Sequence, residues 1–288
     1  MSIQLCRHAE VSVAQLAELE KAMAAFYSHP PANYYQIADQ AAQKYTPNAQ
    51  PFHCDLVERV SPGTHVLEVG CGTAHLCHYV ENRGGHYTGM DYSVELLEGN
   101  RKRFPNALFF QIGAPPKRTF DIVASLYALE HVTDPPRYLE SLWHYCRPGG
   151  LVGIICPEFV ENPGLAPGCY YGKTPRRFRE KLQTFSFIDA ICHIVDLKIH
   201  ALRWKRTALA SPPGAFWMNL QPRALKSTAF SCDEDAVHMA RLKDVACFFQ
   251  NMGAEIVTTS AQMPNASPEV LRYNLYLLAK KPLNSKDI

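Results

Sequence analysis

None of the 10 cysteines falls into a Cys-x-x-Cys pair. That removes the usual spacing of a zinc ribbon or a redox dithiol. Cys71, His75, Cys77 and His78 crowd together, but Cys71 lies in a turn and the following helix would scatter the other three around its circumference, so no metal site is expected. No apolar run reaches the roughly 18 residues that a membrane-spanning helix needs. The first residues lack the continuous apolar core of a secretory signal. Reduced thiols packed as small hydrophobes in the cytoplasm are therefore expected. Charge of one sign is also scarce, with a net charge of +2 and no long run of Lys and Arg. Nothing here would follow a phosphate backbone, which argues against a nucleic-acid partner. There is no internal repeat and no low-complexity tract.

The chain does have an apolar run, Val66-Leu67-Glu68-Val69, that turns through Gly70-Cys71-Gly72. Asp91 follows at the end of a second strand-like segment, His86-Tyr87-Thr88-Gly89-Met90. This is the layout of the first half of a doubly wound nucleotide-binding fold. A dinucleotide site would want a third glycine where His75 stands, to leave room for a pyrophosphate. The imidazole argues against NAD.

The Glu-x-Gly-x-Gly pattern at Glu68–Gly72 resembles motif I of the class I S-adenosylmethionine-dependent methyltransferases. The resemblance continues through Asp91-Tyr92, through Phe120–Val132 with its Leu129-Glu130-His131 turn, and through Arg147-Pro148-Gly149-Gly150 into Leu151–Cys156. It covers about residues 62–157. It implies that Glu68, Gly70, Cys71 and Gly72 hold the amino acid part of S-adenosylmethionine. It implies likewise that Asp91 binds the ribose hydroxyls, that Tyr92 lies against adenine, and that Leu126 or Tyr127 sits near the sulfonium. The pattern departs from the family after the third strand, where the usual acid for the adenine amino group is replaced by Gly113-Ala114-Pro115-Pro116. Backbone groups of Gly113 and Ala114, the Gln111 side chain, or stacking alone must then hold the base. Ala74 replaces a glycine common in the motif.

Strands are expected at Val66–Val69, His86–Met90, Leu108–Ile112, Ile122–Ala124, Leu151–Cys156, Ala254–Ser260 and Asn274–Lys280. The βα alternation implies a buried parallel sheet. The gap between the last two strands is too short for a crossover helix, so they should pair antiparallel. The expected fold is thus α/β, a doubly wound seven-stranded and mostly parallel sheet with an antiparallel last strand. Residues 1–61 read as N-terminal helices covering the cofactor site, with Tyr34, Tyr35, Tyr45 and His53 as candidates to line it. Residues 62–157 and 232–288 read as the core, including a helix over Asp233–Met252. Residues 158–231 read as an insertion after strand five that caps the substrate, with a long helix from Arg176 to about Trp204.

For chemistry, the resemblance implies attack on an activated methyl, with S-adenosylhomocysteine as product. A hydroxyl acceptor needs a base, and His131 and Glu158 are the candidates at the mouth. His193, among apolar neighbours, reads as structural, and Tyr170 and Tyr171 read as substrate contacts. The expected substrate is a small molecule, a sugar or natural-product hydroxyl, with N- or C-methylation as the alternative. A non-catalytic scaffold, or an enzyme of this fold that uses the cofactor for cyclisation or aminopropyl transfer, are the rival classes. The basic ends and apolar middle of Arg176–Arg206 fit an interfacial membrane helix, but packing on the lid or on the second subunit of a dimer is the preferred reading.

Overall fold

A computed structural model describes residues 5–42, 50–162, 164, 166, 168–227, 230–263 and 266–283. Tyr45 lies outside them. The strands in chain order are β1 (Leu5–Arg7), β2 (His65–Val69), β3 (His86–Asp91), β4 (Leu108–Gln111), β5 (Phe120–Leu126), β6 (Cys146–Pro157), β7 (Trp217–Asn219), β8 (His238–Met239), β9 (Glu255–Thr259) and β10 (Asn274–Lys280).

Seven strands form the main sheet in the order β4-β3-β2-β5-β6-β10-β9. The pairs from β4 to β6 are parallel, and β10 runs antiparallel to both β6 and β9. Alternation along the strands sends side chains to two buried clusters. Leu67, Val69 and Val123 pack on one face against Leu139, Leu142, Val245 and Phe249 from helices Pro135–Tyr145 and Leu242–Asn251. Val66, Tyr87 and Ile122 pack on the other against Phe52, Leu76 and Leu97 from helices Pro51–Glu58, His75–Asn82 and Val94–Arg103. This is the doubly wound α/β architecture, and the reversed final pair is where the short gap required it.

Local chemistry sets the helix ends. Ser12 caps helix Val13–Ser28 by accepting from Gln15 N, and His29-Pro30-Pro31 stops it. Asp134 caps helix Pro135–Tyr145, whose first turn begins with prolines. Ser93 caps Val94–Arg103, and three basic residues close its negative end.

A second, three-stranded sheet has the order β1-β7-β8, with both pairs antiparallel. Trp217 and Met239 pack there with Phe159, Val160 and Cys169. Helix Val13–Ser28 reaches this region through Leu19 and Met23, which bury Val237.

Three expectations change. The helix expected from Asp233 starts only at Leu242, because β8 and a left-handed Asp233 (φ 61°) occupy the preceding residues. The long helix expected from Arg176 is broken. Helix Phe178–Gln183 ends at Phe185 (φ 53°), and Phe187 begins a second run. That run continues through a π-helical turn, Asp196–His200, into Ala201–Ala210. Finally, Arg147–Gly150 lies inside β6 rather than before it, as an irregular start where the register with β5 shifts.

Candidate active site

The carboxyl ends of β2, β3 and β5 meet at one edge of the sheet, where open α/β folds place their ligands. The turn after β2 is fixed by its own backbone, since Gly70 N and Cys71 N both donate to Met90 O at 2.8 and 2.9 Å. Gly70 is left-handed (φ 80°), and a methyl built on it would lie 2.5 Å from Cβ of Ala128 in the turn after β5. Only glycine lets these two turns approach so closely. Gly72 (φ 48°) is different, because a methyl there would meet nothing within 4 Å. Its missing side chain leaves an open concavity. Ala74 takes the left-handed conformation too (φ 55°), at the cap of helix His75–Asn82.

Asp91 ends β3 and faces this turn. Gly72 N donates to its Oδ2 and Ser93 N to its Oδ1, each at 2.9 Å. Each oxygen keeps a further lone pair. Burial raises its pKa, opposed by those backbone donors. Tyr92 follows with 59% of its surface exposed, an uncovered ring beside the acid. Glu68 lies deeper. It is buried and accepts a short hydrogen bond from Tyr87 Oη, and burial pushes its pKa up to about 8. Gly113 is left-handed (φ 108°), and Ala114 N is taken by Gln111 O at 3.0 Å. Gln111 sends its amide to Tyr92 O at 3.5 Å. Both Gly113 and Ala114 are exposed at the rim of β4.

Beyond β5, Leu126 is half-buried, and Tyr127 is left-handed (φ 52°) with its ring stacked on His53 at 6.0 Å. Tyr127 Oη donates to Asn274 Oδ1 at 3.2 Å. Burial lowers the His53 pKa to about 4, which keeps this imidazole neutral.

His131 stands in a tight group of ionisable side chains. Its Nδ1 lies 3.4 Å from Asp235 Oδ2 and its Nε2 lies 3.8 Å from Glu130 Oε1. Tyr27 Oη donates to the same Asp235 oxygen at 3.0 Å. Burial opposes protonation of His131, but Asp235, Glu130 and Asp233 outweigh it, so the pKa is raised above the ordinary 6.5. Glu130 is buried, and neither of its carboxylate oxygens has a hydrogen-bond partner among the described residues. Burial pushes its pKa up to about 8, with His131 pulling the other way. Burial raises the Tyr34 phenol well above its ordinary range, and the charges of Asp235 and Asp91 add to the shift.

Glu158 does not join them. Its Oε1 accepts from Val160 N and Glu161 N at 3.1 Å, and its Oε2 accepts from Leu242 N at 2.8 Å. It anchors a loop and the start of helix Leu242–Asn251. The expectation of a proton acceptor there gives way to a carboxylate whose oxygens are already engaged by backbone amides. Tyr170, expected to touch substrate, is buried and bonded to Gln221 and Lys226 at 2.7 Å. Tyr171 and Phe178 flank His193 with ring centroids at 5.4 and 5.5 Å.

Several residues of the site carry no recognisable motif. Asn100 Nδ2 donates to Gly72 O at 2.8 Å and so fixes the open turn. Tyr138 Oη donates to Val69 O at 3.1 Å and contacts Ser125 Oγ at 2.9 Å, bracing the ends of β2 and β5. Tyr27 and Tyr34 come from the N-terminal part of the chain and Asp235 from far along it, with 208 residues separating Tyr27 from Asp235.

A doubly wound sheet with a glycine-opened turn, and an acid that keeps spare acceptor capacity beside it, defines a nucleoside-binding α/β fold. Residues 45–186, just under half of the chain, match the family model described as a methyltransferase domain, which supports the class I S-adenosylmethionine-dependent methyltransferase family. The ubiquinone biosynthesis O-methyltransferase of Aromatoleum aromaticum is 31% identical over 113 residues, 35% of this chain and 48% of that protein. The trans-aconitate 2-methyltransferase of Deinococcus radiodurans is 30% identical over 131 residues, 44% of this chain and 48% of that one. The chain thus spans about half the length of the curated relatives it matches. In fold it resembles the 1,6-didemethyltoxoflavin-N1-methyltransferase of Burkholderia thailandensis, solved with S-adenosylhomocysteine. The TM-score is 0.55 at 14% identity, covering 95% of this chain and 93% of the other.

The residues present fit the family's cofactor. The space at Gly72 admits a ligand against backbone, and the unused lone pairs of Asp91 suit two ribose hydroxyls. Tyr92 offers a ring for adenine.

Proposed function

We propose that this protein transfers the methyl group of S-adenosylmethionine to a hydroxyl of a small molecule, a sugar or natural-product intermediate, with His131 as proton acceptor. The observation that carries the proposal is the imidazole of His131 beside Asp235, at the same sheet edge as Asp91. When bound, the cofactor supplies an activated methyl carbon on a sulfonium. The protein's task is then alignment and removal of the acceptor's proton. Asp91 and the Gly70–Gly72 turn orient the cofactor. His131 would take the proton of the acceptor hydroxyl, and Asp235, steadied by Tyr27, would stabilise the imidazolium, with S-adenosylhomocysteine as the leaving group. Residues 1–61 act as the cover, residues 62–157 and 232–288 as the core, and residues 158–231 as the cap that selects the acceptor. The rings of Phe26, Tyr34, Tyr35 and Phe230, with centroids 4.7 to 5.7 Å from Tyr34, support a ring-bearing substrate.

One observation favours a second reading. Glu130 and Asp235 lie 3.8 and 3.4 Å from a single imidazole, with Asp233 adding its field, and this surplus of acid suits an amine acceptor and N-methylation. Release of S-adenosylhomocysteine with panels of hydroxyl and amine acceptors tests both. Turnover of a hydroxyl acceptor that collapses in His131→Gln supports O-methylation. Turnover confined to amines and indifferent to that substitution selects the second reading. No release with any acceptor, despite cofactor binding, would leave a scaffold.

A further inference from the structure

The helical run 187–210 presents an apolar face that no other described part of the chain covers. Ile188, Ile191, Val195, Ile199, Leu202 and Leu209 recur at steps of three, four and seven, and all six are exposed. Ile188 and Ile191 stand 69% and 62% open, and Phe185 at the start of the run is 78% open. Phe185 and Phe187 form an exposed edge-to-face pair with centroids 6.0 Å apart. Isolated exposed apolar residues are ordinary, but a continuous row of this length marks an interaction surface.

The face is not the outer side of a loosely held segment. Its opposite side is pinned by a buried polar cluster. Lys181, fully buried, pairs with Asp189 at 3.1 Å and also donates to Tyr171 O. Asp189 accepts from Lys173 N and Thr174 Oγ1, and Asp196 accepts from Gly172 N at 2.8 Å. Ala190, Ala201 and Ala208 are buried along the same side. The helix is therefore fixed with its apolar row outward.

Charge selects what covers it. Across residues 173–210, all of them described, Glu180 is the one exposed carboxylate, since Asp189 and Asp196 are buried. Lys173, Arg176, Arg179, Lys198, Arg203 and Arg206 are all exposed within this stretch. The whole chain carries only +2, so the positive charge is concentrated here. A second copy would set two such cationic faces against each other, which costs energy at an interface. An anionic bilayer matches both features, with apolar side chains entering the acyl boundary and Lys and Arg meeting the headgroups. No described helix is long and apolar enough to cross a membrane, so the contact is in the plane of the interface.

We propose that this protein docks on anionic lipid surfaces through the 185–209 face. The proposal takes the interfacial reading of this segment over packing on the lid or on a second subunit, and it does not depend on the acceptor being a hydroxyl or an amine. The test is sedimentation of the full chain with phosphatidylcholine vesicles, with and without about one third phosphatidylglycerol. It is run at low salt and at about 0.5 M salt, where screening shortens to a few Å. The expected result is binding to the anionic vesicles at low salt, weaker by about tenfold or more on neutral vesicles or in high salt. The double substitution Ile188→Ser with Ile191→Ser removes exposed side chains only and should lower vesicle binding by about tenfold, with cofactor binding unchanged by calorimetry. Absence of binding at low salt overturns the proposal. So does binding that is indifferent to the double substitution, or a concentration-dependent dimer by light scattering that the substitution dissolves while vesicles capture nothing.

Discussion

At the glycine turn, nearly every contact that shapes the site runs through backbone. Gly70, Cys71 and Gly72 place their amides on Met90 O and on Asp91, and the side chains involved are few and adjacent to the turn in sequence. Around His131 the construction is the reverse. The imidazole gains its character from side chains delivered by the N-terminal helix and by the segment before β8, and few backbone groups take part. Both regions sit at the same edge of one sheet. The first is built from one local stretch, while the second depends on how three distant pieces of chain come together. The cofactor end of such an enzyme can therefore persist while the acceptor end is rebuilt.

Substitutions should separate the two regions cleanly. The largest effect is expected from His131→Ala, which should lower kcat for a hydroxyl acceptor by about 10²- to 10⁴-fold, the usual worth of a general base. Calorimetry should find its cofactor affinity intact, and a kcat within threefold of the parent would remove His131 from the role. Asp91→Ala should weaken S-adenosylmethionine binding on the order of 100-fold, since two charge-assisted hydrogen bonds are lost with one carboxylate. An affinity within about threefold would refute that assignment.

The pH profile sharpens the contrast. Because the His131 pKa is raised by its acidic neighbours, the free base forms at higher pH than for an ordinary imidazole, and kcat/KM should climb through a limb shifted upward from the usual histidine range. The sign for stability is opposite. A raised folded-state pKa contributes stability that is fully present below the unfolded value and is lost as pH rises through the folded one. Tyr27→Phe removes a hydrogen bond to Asp235 and should cost about fivefold to tenfold in kcat, while shifting that limb. A kcat loss with an unmoved limb would mean that Tyr27 only packs. Ala74→Gly gives the smallest change, relieving a left-handed alanine and adding about 1 kcal/mol of stability with cofactor affinity unchanged. A thermal melt showing destabilisation would deny strain at that position.

The same contrast explains what was legible in the sequence. The strand ends, the glycine turn and Asp91 are local, and their spacing alone places them at one sheet edge. The reversed last pair follows from a gap too short for a crossover. Asn100 and Tyr138 were not legible, because an Asn and a Tyr on amphipathic helices look like many others until the sheet brings them to Gly72 O and Val69 O. Asp235 was hidden differently. Its segment, Asp233–Met252, carries a helix-compatible pattern, and only pairing of His238–Met239 with β7 pulls its first part into a strand. Glu158 misled for a related reason. A carboxylate at a strand end reads as chemistry, yet the amides of Val160, Glu161 and Leu242 need an acceptor there, and it supplies one.

The π-helical turn at Asp196–His200 has a mechanical meaning of its own. A turn of this kind holds one residue more than an α-helical turn, and each residue swings the following side chains by about 100° around the axis. Deleting one residue there would let the segment close as an ordinary α-helical turn of about the same angle, so Leu202 and Leu209 would stay in line with Ile188 and Ile191, and Ala201 and Ala208 would stay inside. The π turn thus absorbs one extra residue locally, so that both halves of the helix keep a common azimuth.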